Sequence, residues 1–414
     1  MIALAACAFA QDTRQVREPS IPPTCSALTP QSPTMDENRP DTARIQEALD
    51  HCAAGHAVEL KPGTFLSGPL SLRQGVTLLV DSGAVLIASR NPRDYDLQPG
   101  SCGIVNKQGH GCKALIGADH VSGAGVMGEG IIDGRGSATL TGQKVSWWDL
   151  AQEGKVKNEN QNCPRLMQID NSDDFTLYRI TLKNSPNFHV SYSGGNGFTA
   201  WGVVIDSPKT SRNTDGIDPS SATNVTITNS FIRAGDDNVA IKAGSTGPSS
   251  HITIAHDHFY SGHGMSIGSE TDGGVSAIRV SDLSIDGADN GIRIKSNSSR
   301  GGLVRDIVYS DVCIRDTKNP IMMDTHYSFR GTATNKLPEF RDIKLENVRI
   351  LSPGAITLDG FDAAHPLELT FDGVTQDQPD RMKITSHFAN VTNAPGNRAT
   401  NRCDGKFIAF PSNK

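Results

Sequence analysis

Runs rich in β-branched and aromatic residues recur along the chain, beginning at Phe175, Phe198, Val225, Ile252, Ile278, Ile307 and Ile343. Successive starts are 23, 27, 27, 26, 29 and 36 residues apart. Each run alternates apolar and polar positions, turns at Gly, Asn or Asp, and alternates again. A period of this size marks a solenoid. One such unit cannot bury its apolar face alone, whereas stacked copies pair each strand with its counterpart and share one core. A leucine-rich repeat would carry a regular Leu/Asn consensus, and a propeller about 40 residues per blade; neither fits. The period predicts an all-β, single-domain parallel β-helix. It also explains how 414 residues, more than one domain usually holds, can form one.

The ends read differently. Residues 2–10 are an apolar run ending in small residues before Gln11, resembling the remnant of a secretory signal that lacks its basic leader. Residues 11–40, rich in Pro, Ser and Thr, read as an extended arm, and 41–414 as the β-helix domain. Within the latter, Ile45, Ala48, Leu49 and Cys52 follow Asp41-Thr42 at helical spacing, which predicts one helix over 42–53 to cover the first turn's core and edge. No other stretch approaches the ~18 apolar residues of a bilayer span, so a secreted, extracellular protein without a membrane partner is expected.

There are eight cysteines. None stands in a CxxC or Cys/His cluster with zinc spacing, and no metal or cofactor is expected. In an exported chain, Cys25–Cys52 and Cys102–Cys112 read as local disulfides. Loss of Cys7 with the leader leaves an odd number, and Cys313, in an apolar strand pattern, is the expected free thiol.

Four polar clusters interrupt the strands: Asn213-Thr214-Asp215-Gly216-Ile217-Asp218, Gly235-Asp236-Asp237-Asn238, Gly262-His263-Gly264 and Arg293-Ile294-Lys295. Singly, each is an ordinary turn or a solvated strand face. The repeat changes that reading. Asp237 lies 12 residues past Val225 and His263 lies 11 past Ile252, the same place on successive turns. Asp215 and Arg293 flank them at about one turn each. Stacked strands are about 4.8 Å apart, so the clusters should form one patch. Three carboxylates, a histidine and two cations together suit hydrolysis of an acidic polysaccharide. One carboxylic acid protonates the leaving oxygen and another carboxylate activates water, and crowding of like charges raises the pKa of one of them. Adjacent strand residues point to opposite faces, so Asp236 and Asp237 can share the cleft only if Gly235 permits a bend. Arg293 and Lys295, two apart, share a face and suit a sugar carboxylate. The net charge of −6 gives no global basic field, and nucleic acid is not an expected partner.

These motifs, in this order and spacing, resemble the polygalacturonases of glycoside hydrolase family 28. The resemblance runs from about Thr64 to about residue 375. Asn184-Ser-Pro-Asn-Phe-His-Val190 and Ser211-Arg-Asn-Thr-Asp215 resemble the bacterial endo-acting members especially. It implies a right-handed parallel β-helix, polygalacturonate or pectin as the substrate, and a monomer. It also implies Asp236 as general acid, Asp215 and Asp237 holding and deprotonating the attacking water, and inversion at the anomeric carbon. The acid–base gap expected for inversion is roughly 6.5 to 9.5 Å. His263 would tune the acid, Arg293 and Lys295 would grip the galacturonate carboxylate, and Asn213 and Tyr327 would contact substrate.

Three other readings compete. An exo-acting polygalacturonase or a rhamnogalacturonan hydrolase would share the fold. A pectate lyase would use calcium and an arginine base, which the His263 motif and the Arg-x-Lys pair do not suit. A non-catalytic carbohydrate-binding β-helix would have no reason to concentrate these groups on adjacent turns.

Overall fold

The seven repeat starts lie directly beside one another. In the computed structural model, which describes residues 11–32, 35–328, 332–393, 395–396 and 402–411, parallel pairing joins Phe175 to Phe198, Val225, Ile252, Ile278, Ile307 and Ile343 in unbroken register. The ladder continues through Leu369 to Val391. All seven repeat starts point into the core, and the Phe175 and Phe198 rings stack at 6.2 Å. A one-residue slip would turn this whole column outward, so burial itself fixes the register. The expected remnant of a signal at residues 1–10, with Cys7, lies outside the described residues.

Each turn of this parallel β-helix contributes strands to three faces. The first face carries the repeat starts. The second follows a sharp corner, with strands such as Val204–Asp206 and Phe231–Arg233. Val275–Asp286 and Leu303–Arg315 run through both faces. The corner is a left-handed residue on each turn, including Arg179, Gly202, Asn229, His256, Asp282 and Asp311, which explains the Asn, Asp and Gly punctuation. The third face is a separate sheet of 11 parallel strands, from Leu70–Ser71 to Lys383–His387, and the polar clusters lie on its strands or immediately before them.

Helix α1, Thr42–His51, inserts Ile45 and Leu49 into the N-terminal end of the core. Burying each contributes about 1.5–3 kcal/mol. The disulfide Cys25–Cys52 ties it to the preceding arm. That arm is extended, and its Thr24–Leu28 pairs in parallel with His56–Leu60 as the first strand of the sheet. Farther upstream, Asp12 accepts from the Thr226 hydroxyl, Arg14 donates to the Phe198 carbonyl and Glu18 accepts from the Tyr178 hydroxyl. The arm therefore runs back along the outside of the first face.

Two expectations are corrected. A second helix, α2, spans Trp147–Lys157. Its signals were present: Ser146 and Asp149 form a reciprocal capping box, and Trp147, Leu150, Ala151 and Gly154 are buried at i, i+3, i+4 and i+7. A helix-weakening glycine and four charged residues obscured the pattern. The second correction concerns the thiols. Cys25–Cys52 and Cys102–Cys112 form as expected, but Cys313 is bonded to Cys403, 90 residues away. Cys163 is the free cysteine among the described residues, and burial pushes its thiol pKa up and leaves it inert. Cys403 begins a C-terminal strap over the second face. In it Phe407 packs on Arg315, the Tyr260 hydroxyl donates to the Ile408 carbonyl, and Phe410 lies over Arg233.

Candidate active site

Where the chain passes from the second face to the third, the polar clusters stack. His189 N–H donates to the Asp215 carbonyl (2.8 Å), Gly216 N–H to the Asp237 carbonyl (2.8 Å) and His263 N–H to the Asp236 carbonyl (3.0 Å). Asp236 and Asp237 sit in a bend between Phe231–Arg233 and Val239–Ile241, free of strand alternation. Gly235 is required for close approach: a Cβ there would collide with the Ser211 carbonyl oxygen. One oxygen each from Asp215, Asp236 and Asp237 lies within 4.8 Å of the others. The structure therefore brings together all three predicted carboxylates.

Their environments differ. Asp237 is buried. Its carboxylate accepts from Ser266 Oγ (2.8 Å) and Lys295 Nζ (2.9 Å) and pairs with the Arg293 guanidinium. Arg293 and Lys295 reach it from the strand Asn290–Lys295, on the shared side that their spacing predicts. Burial opposes ionisation of Asp237, yet Arg293 and then Lys295 outweigh it and hold the carboxyl well below the usual range. Asp215 shows the opposite balance. Burial, then Asp218 and Asp236, push it well above the usual range against the pull of Lys242. Asp236 is the open member, with its side chain 25% exposed, against 5% for Asp215 and 2% for Asp237.

His263 has a defined tautomer. Asn319 Nδ2 donates to Asn290 Oδ1 (3.2 Å), and Asn290 Nδ2 donates to His263 Nδ1 (2.9 Å). Nδ1 is thus an acceptor, and the proton of neutral His263 sits on Nε2, 3.9 Å from Asp236 Oδ1. Burial lowers the His263 pKa against the opposing pull of Asp236, which favours the neutral form. Tyr327 lies one turn beyond, with Lys295 Nζ 5.2 Å from its ring centre. Asn213, left-handed with φ of 56°, has a buried Oδ1 without a protein partner and lines the adjoining cavity.

Several neighbours were missed by sequence reasoning. Lys242, four residues past Asn238, pairs with Asp218 and stands 3.6 Å from Asp215. Arg165 and Lys242 both lie over the Phe188 ring, at 5.1 and 4.3 Å. The repeat register could have found them. Leu166 N–H donates to the Phe188 carbonyl, so Arg165, Phe188, Asp215 and Asp237 occupy successive turns of one column. A cavity of about 640 Å³ extends along the third face from Asn213 towards the N-terminal turns, with Arg73, Lys113, Arg165 and Arg212 in its walls.

One geometric expectation is not met. The closest carboxylate oxygens lie within 4.8 Å, below the roughly 6.5–9.5 Å between carboxyls in most inverting glycosidases. Separation alone therefore does not support inversion. Such spacing could also bridge a cation, but Asp237 already has two protein cations and a hydroxyl on its oxygens, the arrangement of an internally neutralised carboxylate.

A parallel β-helix that brings three carboxylates, a histidine and two cations together on adjacent turns has the parts of a carboxylate-based glycoside hydrolase. The sequence profile of glycosyl hydrolases family 28 matches residues 64–399. The chain belongs to glycoside hydrolase family 28. An endo-polygalacturonase of Pectobacterium carotovorum subsp. carotovorum is 46% identical over 373 residues, 89% of this chain and 90% of that protein. A polygalacturonase of Ralstonia nicotianae is 43% identical, covering 93% and 84% of the two chains. The solved polygalacturonase from Erwinia carotovora ssp. carotovora superposes with a TM-score of 0.88 at 44% identity, over 92% of this chain and all of that one.

Proposed function

We propose that the protein is a secreted endo-polygalacturonase that hydrolyses α-1,4-galacturonosyl linkages of polygalacturonate and pectin with inversion. The carrying observation is the division of labour among the carboxylates: one open, two buried, within 4.8 Å. Asp236, reachable from the groove and facing His263 Nε2, protonates the glycosidic oxygen. Asp215 and Asp237 hold the attacking water and remove its proton. Retention would require a second carboxylate to attack the anomeric carbon, and the burial of Asp215 and Asp237 keeps both from that contact. This burial supports inversion where the spacing does not.

Arg293 and Lys295 border the groove as the nearest cations for a galacturonate carboxylate, with Tyr327 beside Lys295. The cavity on the opposite side of the carboxylates, where Arg73, Lys113, Arg165 and Arg212 stand among Asp119, Glu159 and Asp170, favours endo action, since it gives the substrate chain room on both sides of the cleaved bond. Three disulfides fit an oxidising, extracellular setting.

Incubation with polygalacturonate plus a chelator should give a rapid fall in viscosity for few reducing ends released, and saturated oligomers. Unsaturated ends or loss of activity to the chelator would contradict hydrolysis, and monomer release without early viscosity loss would contradict endo action.

A further inference from the structure

Asp237 has two cations to itself, whereas Asp215 and Asp218 must share one. Among the described residues, Lys242 alone stands within ion-pair distance of either: it pairs with Asp218 Oδ2 and lies 3.6 Å from Asp215 Oδ2. Its backbone is fixed on both sides, with Lys242 N–H donating to the Pro219 carbonyl and Ser221 N–H donating to the Lys242 carbonyl. Phe188 covers the ammonium at 4.3 Å. The other oxygens, Asp215 Oδ1 and Asp218 Oδ1, are buried without a protein partner. Arg165, two turns back and beyond ion-pair distance, is the other cation that acts on this pair.

We propose that Lys242 is a positioning residue that keeps Asp215 available as a base, sharing its charge between Asp215 and Asp218 rather than touching substrate. This rests on the reading of Asp215 as a holder of the attacking water. The groups acting on Asp215 are Asp218 on its own strand, Asp236, Asp237 and Lys242 on the next turn, and Arg165 two turns back. Glu270, paired with Arg300, acts on Lys242 from the turn beyond. Three of the groups facing Asp215 are negative, and Lys242 is the nearer of the two cations that oppose them. Burial would strip Lys242 of its proton, but Asp218 and then Asp215 keep it charged. Asp218 is itself pushed up to about 6 by burial, against Lys242. Asp215 is therefore the water-holding carboxylate whose protonation can limit the rate in acid, and Lys242 sets where that limit falls.

Lys242→Met keeps the side-chain stem and removes the charge. Without its cation Asp215 binds its proton more tightly, so the acidic limb of kcat/KM should move up by at least about 1 pH unit. Activity should fall about tenfold or more at the acidic end and recover as pH rises, with KM little changed. Lys242→Arg should restore most of the profile. Asp218→Asn, which removes a negative neighbour, should move the limb down. A uniform loss at all pH values would indicate a merely structural role and overturn the proposal. A raised KM with an unmoved limb would make Lys242 a substrate contact and also overturn it. If Lys242→Met does not fold, Asp218→Asn decides, and an unmoved limb overturns the proposal. Asp215→Asn tests the underlying reading separately: near-normal activity there would remove Asp215 as base, whatever Lys242 does.

Discussion

Asp236→Asn should lower kcat about 10³-fold while leaving the fold and its thermal midpoint unchanged, because it removes the proposed general acid and little else. Among the described residues the Asp236 side chain has no ion pair closer than the 3.9 Å approach of His263 Nε2, and its Oδ1 accepts the N–H of Asp237. An amide oxygen can keep that hydrogen bond. It cannot give a proton to a departing sugar oxygen. Binding of oligogalacturonate should persist, so the loss should fall on kcat rather than on KM. Steady-state kinetics with circular dichroism as a folding check would measure it, and a variant with near-normal kcat would remove Asp236 from the acid role.

Asp237→Asn should behave quite differently, losing activity and also about 3–5 kcal/mol of stability near neutral pH. Arg293 and Lys295 are buried with Asp237 as their common counterion, and the amide would leave two cations uncompensated. Because the Asp237 carboxyl is held below its unfolded value, its stabilising effect is complete above about pH 4 and fades as pH falls further. The difference in unfolding midpoint between wild type and variant should therefore be widest near neutrality and narrow in acid. An unchanged midpoint would show that the buried cations find other partners.

The repeat made the fold and the meeting of the four clusters legible, for the same reason. Once Phe175, Phe198 and Val225 must stack, every loop at a fixed distance from them stacks too. Gly235 signalled the bend that lets adjacent aspartates share a cleft. What stayed hidden depends on paths the period does not govern. The strap carrying Cys403 returns over the second face, so its pairing with Cys313 has no local signature, and α2 is an insertion outside the repeat. Lys242 lies just past the Gly235–Asn238 cluster, but its role emerges only from burial. It reads as one lysine on a strand until two buried aspartates prove to have no other cation within ion-pair distance among the described residues. The net charge of −6 argued against nucleic acid but did not point to an acidic polysaccharide, since the cations at the site are local.

The most direct test is time-resolved NMR of the anomeric protons during the first turnovers on oligogalacturonate, before mutarotation blurs the product. If, as proposed, Asp215 and Asp237 hold the attacking water opposite the leaving group, an α-linkage should release the β-anomer first. Initial release of the α-anomer would mean a covalent intermediate on one of these carboxylates, and would contradict the account.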